Sequence, residues 1–240
     1  MRDMTTGSPT KHVVAFAIPM ILGGIFQQLY NTVDSVIVGR YVGANALAAV
    51  GAAFPAMFFF VSFIMGLTIG VQIIVSQLFG AGDHERLKRT FSTSIIALTA
   101  MILVSSVIGY FASESMLRLM NTPPEILADS VTYLGVIFKG LIFMYLYNML
   151  TAMLRGVGDS NTPLYFLIIS SLLNVVLDLY FVLNLRMGVR GVAVATVLSQ
   201  AVSALLCISV SSSMYSKSPE AFFLRRLKCT WPSPTDTDEI

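Results

Sequence analysis

Long runs without charged side chains are the most distinctive feature of this chain. Residues 13–33, 41–82, 90–113 and 191–216 contain no Asp, Glu, Lys or Arg. A predominantly apolar run of about 18 or more residues is long enough to cross the hydrocarbon core of a bilayer as a helix. A helix on the surface of a soluble protein would carry charged residues on its solvent face, and these runs carry none. The pattern therefore predicts helices that lie in lipid.

Turn signals divide the chain into six predicted transmembrane helices. Pro123-Pro124 precedes the fourth helix, and the GVGDSNTP sequence interrupts the chain before the fifth. We place the helices near residues 13–38, 46–78, 91–112, 127–153, 163–184 and 191–214. The predicted fold is an all-α, polytopic six-helix bundle over residues 13–215, between an N-terminal segment at 1–12 and a tail at 216–240.

The distribution of Lys and Arg predicts the orientation, because cytoplasmic loops carry an excess of these residues. Ten of the 15 cations fall on the side that holds both termini and the 79–90 and 154–162 loops. Four fall on the other side, and Lys139 lies within the fourth span. We therefore expect a multi-pass protein of the cell membrane, plasma or inner, with both termini in the cytoplasm.

Composition supports this class and argues against several others. Charged residues make up 12% of the chain, about half of their share in soluble domains. The net charge of +2, without a basic cluster interleaved with aromatic residues on a polar domain, argues against a nucleic-acid partner. Cys207 and Cys229 are too few and too far apart for a disulfide framework or a metal site. No nucleophile has a convincing base nearby, so we predict no catalytic residues and no enzyme activity.

Two acids interrupt the predicted spans. Asp34 lies near the end of the first helix and Asp178 lies within the fifth. A carboxylate inside a span costs about 2.5–3.5 kcal/mol on insertion scales, so it normally faces a cavity and has a function. At ~1.5 Å per residue, both acids lie in the outer half of the bilayer, about 12 Å and about 7 Å from their helix midpoints. The alternative is that these are interfacial acids, a reading that suits Asp34, close to its helix end, better than the deeper Asp178.

Polar neighbours accompany both acids. Asn174 is four residues before Asp178, on the same helix face, although it could simply bond a neighbouring helix. The first helix carries a polar stripe, and Thr196 enters the sixth helix at a similar depth. The stripe consists of Gln27, Asn31 and Asp34, with Tyr30 beside it. Two carboxyl groups in a low-dielectric pocket cannot both ionise cheaply, so the pair could hold a proton or a sodium ion.

Beyond these acids, Pro19 interrupts the helical hydrogen bonds of the first helix ahead of Gly23-Gly24. A static kink and a moving hinge are both compatible with this pattern.

Four stretches resemble the N-terminal half of a multidrug and toxin extrusion (MATE) transporter. Together they cover residues from about 13 to 215. They are IPMILGGIFQQLYNTVDSVIVGRYVGANALAAVG, FGAGDHERLKR, MLRGVGDSNTPLYFLIISSLLNVVLDLYFVL and GVRGVAVATVLSQ. The resemblance implies one six-helix lobe of a twelve-helix transporter that exports organic cations and amphipathic compounds. Inward movement of H⁺ or Na⁺ would drive export, without another cofactor.

The resemblance also implies roles for particular residues. The coupling-cation site, including a possible Na⁺ site, would consist of Asp34, Asn174, Asp178 and Thr196. The substrate cavity would be lined by Gln27, Tyr30, Asn31, Tyr133 and Asn148. Pro19 matches the proline at which the first helix is proposed to bend.

Two features depart from the family pattern and leave alternatives open. The chain carries one copy of a lobe that occurs twice in the family, so a second six-helix lobe is a possible partner, and an inactive fragment is an alternative. Lys139 stands where an apolar residue is expected, and it could face the cavity, a carboxylate or the lipid edge. A flippase for lipid-linked precursors is a further alternative, although such proteins usually have more cationic cavities.

Overall fold

The computed structural model describes residues 9–216, and that part of the chain is helical almost throughout, without a strand. Two short π-helical segments, Val38–Val42 and Tyr180–Asn184, continue the first and fifth helices. The six helices are α1 Pro9–Ile37, α2 Ala44–Gly80, α3 His84–Leu119, α4 Pro124–Gly156, α5 Asn161–Leu179 and α6 Gly188–Ser216. The predicted all-α bundle is therefore confirmed. The predicted segments at 1–12 and 216–240 lie almost wholly outside the described residues.

Five of the described helices, α2 to α6, are long and apolar enough to cross a membrane, judged by length and composition. The remaining helix, α1, carries the polar stripe. α2 and α3 have 37 and 36 residues, which corresponds to ~55 Å, well above the ~30 Å of a hydrocarbon core. The ends of these helices therefore extend beyond the apolar layer.

The predicted ends of the third helix, 91 and 112, were wrong by about two turns at each end. α3 begins at His84 because the Asp83 side chain accepts a hydrogen bond from the Arg86 backbone N–H at 3.0 Å. This N-cap starts the helix within a charged segment that precedes the apolar run. At the other end, the ion pair of Arg118 with Glu114 lies in the last two turns.

The packing is organised around α4. This helix contacts α2, α3 and α6, while α5 packs on α6 and α1 packs on α5. Small residues allow the close approach of α4 to its neighbours. A β-carbon on Gly109 of α3 would meet the ring of Phe138, and one on Gly140 would overlap the side chain of Val197. Ser130 also ties α4 to α2, since its hydroxyl donates to the Ala49 carbonyl at 3.0 Å.

Candidate cation site

The register between α1 and α5 brings the two acids together. A β-carbon on Gly23 would lie 3.6 Å from Leu167, so these positions of the two helices face each other. Both helices run in the same direction. Asp34 stands eleven residues after Gly23, and Asp178 stands eleven residues after Leu167. The shared spacing places the two acids at the same level of the bundle. They are close enough for their carboxyl groups to be hydrogen-bonded to each other.

The two carboxyl groups have different surroundings. Asp178 has no exposed surface, whereas Asp34 is half-buried. A hydrogen bond between two carboxyl groups requires a proton on one of them, because two carboxylates offer only acceptors. One oxygen of each group, Oδ1, is buried and lacks a hydrogen-bond partner. The pair can therefore hold one shared proton or offer its oxygen atoms to a cation.

Polar side chains of α5 and α6 hold the pair in place. With the amide of Asn174 oriented to satisfy both neighbours, its Nδ2 donates to Asp178 Oδ2 at 3.0 Å. Its Oδ1 accepts from the Thr196 backbone N–H at 3.3 Å. The Thr196 hydroxyl donates to the Val192 carbonyl at 3.1 Å. Asn174 is buried, with 1% exposure, so these contacts satisfy an amide that water does not reach.

Two tyrosines complete the cluster. Tyr30 of α1 lies close to the Thr196 side chain, and it stands four residues before Asp34 on the same helix face. Tyr133 of α4 is 4% exposed and lies within electrostatic range of both acids and of Tyr30. The cluster, which we call the carboxyl cluster, consists of Tyr30, Asp34, Tyr133, Asn174, Asp178 and Thr196.

The structure thus brings together all four residues expected at the cation site. Two residues expected to line the substrate cavity, Tyr30 and Tyr133, join them. The other three expected there, Gln27, Asn31 and Asn148, do not contact the cluster in any described hydrogen bond. Asn148 donates to the Met144 carbonyl at 2.7 Å and stands fifteen residues beyond Tyr133, which is ~22 Å along α4. Asn31 is exposed, while Gln27 and Pro19 are half-buried on α1.

A buried polar stripe that the sequence analysis did not recognise continues from the cluster along α5 and α6. Ser170 stands one turn before Asn174, and its hydroxyl donates to the Ser199 carbonyl at 3.4 Å. Gln200 and Ser203 follow Thr196 by one and two turns, and each has a buried oxygen without a hydrogen-bond partner. The signal was present in the spacing of three and four residues that links these positions to Asn174 and Thr196.

Lys139 does not belong to the carboxyl cluster. It stands six residues after Tyr133, which corresponds to about 120° around an α-helix. Its ammonium group lies 4.7 Å from the centre of the Tyr110 ring of α3. Of the alternatives left open for this residue, the structure supports a position on the exposed side of the α3–α4 interface.

The chemistry of the carboxyl cluster is that of an oxygen site for a small cation. Carboxyl, amide and hydroxyl oxygens are ligands that hard cations such as Na⁺ prefer, and the same oxygens bind a proton. Within residues 9–216, three or more His, Cys, Asp or Glu side chains nowhere gather into a group that could hold a metal ion. A bundle of membrane helices with an ion site at a helix interface has the architecture of a secondary transporter.

Comparison with known proteins identifies the family. The MatE family model matches residues 19–180. The probable multidrug resistance protein YpnP of Bacillus subtilis (strain 168) is 35% identical over 203 residues, which cover 85% of this chain and 46% of that protein. The chain therefore belongs to the MATE family of multidrug efflux transporters, and its relatives are transporters rather than enzymes. It spans about half the length of the curated relatives that it matches.

Solved structures support the same fold. A MATE crystal structure in a bent conformation superposes with a TM-score of 0.78 at 30% sequence identity, covering 95% of this chain and 50% of that one. A MOP superfamily transporter from Pyrococcus furiosus superposes with a TM-score of 0.79 at 29% identity, covering 95% and 49%. For the latter protein, reverse polarity of the binding pocket suggests a different function.

Proposed function

We propose that this chain acts as one lobe of an antiporter that exports organic cations or other amphipathic compounds in exchange for H⁺ or Na⁺. The observation that carries the proposal is the contact between Asp34 and Asp178. It joins two helices through groups whose charge changes when a cation binds. A site that bridges two elements can couple ion binding to their relative position.

The proposed coupling passes through α1. This helix contributes Asp34 and Tyr30 to the cluster, and it packs chiefly against α5. Pro19 removes a backbone hydrogen bond fifteen residues before Asp34, so the part of α1 that carries the cluster residues can bend relative to the rest. A proton or Na⁺ at the carboxyl pair would favour one arrangement of α1. Its release would favour the other and would reshape the substrate cavity.

We also propose that the transport unit contains a second six-helix lobe and that it lies in the cell membrane, with both ends of the chain in the cytoplasm. The chain spans about half the length of its relatives, which favours assembly with such a lobe. The alternatives from the sequence, an inactive fragment and a lipid-linked precursor flippase, give different outcomes in the same experiment.

The experiment measures ethidium efflux from cells that lack their own efflux pumps. The chain is expressed alone and together with the C-terminal lobe of a MATE relative. We expect efflux with the second lobe, and Asp34→Asn should abolish it. The matched control is Asp129→Asn, which changes an exposed acid of α4 outside the cluster. Efflux that survives in Asp34→Asn would contradict the role of the pair.

The coupling ion is tested in the same cells. Collapse of the proton gradient stops efflux if H⁺ is the coupling ion, and collapse of the sodium gradient stops it if Na⁺ is. No efflux from the chain either alone or with the second lobe would favour the inactive fragment, and movement of a lipid-linked precursor in place of ethidium would favour the flippase.

A further inference from the structure

A second cluster of polar groups lies on the α3 side of α4, outside the carboxyl cluster. A groove of about 420 Å³ lies between α3 and α4, with a contribution from the start of α6. This volume falls in the range of small-ligand sites. Its principal lining residues are Tyr110, Phe111, Glu114, Val136, Lys139 and Arg190. The α4 side follows the spacing of one helix face, since Val136 is four residues after Thr132 and Lys139 is three residues after Val136.

The groove carries an excess of positive charge. Lys139 and Arg190 contribute one cation each, and neither forms an ion pair with a carboxylate in the described part of the chain. The one acid of the groove, Glu114, already accepts two hydrogen bonds from Arg118, at 2.7 and 3.0 Å. Lysine at the middle of a span is costly unless a partner or the membrane surface compensates it. The charges of the groove therefore favour an anion.

The walls of the groove favour a ligand that also has an apolar part. Phe111 is 78% exposed, and Val131 and Val136 line the same surface as the two cations. The ring of Tyr110 lies under the ammonium group of Lys139, and this cation–π contact fixes the lysine without neutralising it. A free inorganic anion would use the two cations but would leave the apolar wall exposed.

The groove extends towards the depth of lipid headgroups at one end. Tyr110 stands nine residues before the end of α3, which corresponds to ~14 Å. Since α3 is ~54 Å long and the hydrocarbon core is ~30 Å thick, about 12 Å of the helix extends beyond the core at each end. Lys139 itself stands near the middle of α4, whereas Arg190 is the third residue of α6, which begins at the same end of the bundle as the α3–α4 turn. The groove therefore runs from Lys139 towards the headgroups of the leaflet at that turn.

We propose that this groove binds the phosphate of a net-anionic phospholipid in that leaflet. Lys139 and Arg190 would hold the phosphate oxygens, and an acyl chain would follow Phe111 and Val136. This site is separate from the carboxyl cluster and does not depend on the proposed transport function. Basic pockets between membrane helices are suited to anionic headgroups for the same electrostatic reason.

The test measures lipid retained by the purified full-length chain in detergent, by native mass spectrometry. The probes are phosphatidylglycerol, phosphatidylcholine and inorganic phosphate. We expect phosphatidylglycerol to be retained in preference to phosphatidylcholine. Lys139→Met and Arg190→Gln should each lower its retention about fivefold, the ratio that corresponds to ~1 kcal/mol per cation near a charged headgroup.

Two controls separate binding from folding. Lys139→Arg keeps the charge, so this variant should retain as much phosphatidylglycerol as the wild type. It serves as the reference if Lys139→Met is unstable. Arg186→Gln removes an exposed cation at the same end of the bundle but outside the groove, and it should change nothing. Equal retention of phosphatidylcholine would overturn the proposal, as would equal losses in Arg186→Gln and in Arg190→Gln. Displacement of the lipid by an equal concentration of inorganic phosphate would show a free-anion site instead.

Discussion

The two acids of the carboxyl cluster are not equivalent in their surroundings. Asp178 is fully buried and accepts a hydrogen bond from Asn174, whereas Asp34 is half-buried on a helix with few neighbours. A cation that enters the site would therefore meet Asp34 first and would be held by both side chains. Removal of either acid would leave the other without the partner on which binding depends.

This relationship predicts non-additive effects of the two acids on efflux. In the two-lobe system, Asp34→Asn and Asp178→Asn should each abolish ion-coupled efflux, and the double variant should lose no more than either single variant. Residues that act as one unit show such non-additivity, because the first substitution already removes the interaction. The measurement is the initial rate of ethidium efflux in the four proteins. Independent partial losses that multiply in the double variant would contradict a shared site.

The sequence predicted the acids of this site better than it predicted their neighbours. Asp34 and Asp178 were recognisable because a carboxylate in an apolar run is rare and costly. Ser170, Ser199 and Ser203 were not, because serine in a helix commonly bonds to a carbonyl of its own preceding turn, as Ser171 does to the Leu167 carbonyl at 2.8 Å. Whether such a serine faces a neighbouring helix depends on packing, which the sequence does not contain.

At the scale of elements, α4 depends on small residues where other helices cross it. Gly140 faces Val197 of α6 so closely that a β-carbon would overlap the valine side chain. Gly66 of α2, in contrast, has no atom within 4 Å of the position of its β-carbon. The two glycines therefore differ in packing although both lie within apolar spans.

We expect Gly140→Ala to destabilise the bundle by about 1–3 kcal/mol, the usual cost of overpacking a well-filled interface. The variant should unfold at a lower temperature than the wild type in a thermal-shift measurement in detergent. Gly66→Ala is the control, and it should leave the midpoint almost unchanged. Equal midpoints for Gly140→Ala and Gly66→Ala would show that α4 and α6 are not packed closely at this crossing.

The number and order of the helices could be read from the sequence, but their lengths could not. Apolar runs locate the part of each helix that lies in lipid, while backbone hydrogen bonds continue into the charged flanks. α3 illustrates this difference, because its N-cap, Asp83, lies before Arg86, Lys88 and Arg89. The proximity of α1 and α5, which are far apart in the chain, was indicated only by the assignment of Asp34 and Asp178 to one site.

At the scale of the whole molecule, the bundle has two polar regions on different sides. The carboxyl cluster joins α1, α4, α5 and α6, and the cationic groove joins α3 and α4 to the start of α6. Both lie towards the end of the bundle that holds the α3–α4 turn. The excess of Lys and Arg at the opposite end predicts that the α3–α4 turn faces outward.

Orientation can be tested by labelling intact cells with a membrane-impermeant maleimide. The background carries Cys207→Ser and Cys229→Ser. A cysteine in place of Asn121, exposed in the α3–α4 turn, should be labelled from outside. A cysteine in place of Glu85, exposed at the opposite end of α3, should be labelled only after permeabilisation. The reverse pattern would contradict an orientation with both chain ends in the cytoplasm.

The central claim, that Asp34 and Asp178 meet between α1 and α5, is tested most directly by cross-linking. In the same cysteine-free background, the pair Asp34→Cys and Asp178→Cys is treated in membranes with a short thiol-specific cross-linker. The control pair is Asp34→Cys and Val176→Cys, because Val176 is 62% exposed and lies about 200° around α5 from Asp178. We expect an intramolecular cross-link in the first pair and none in the control. Cross-linking that is absent from the first pair, or equal in both, would contradict the shared site.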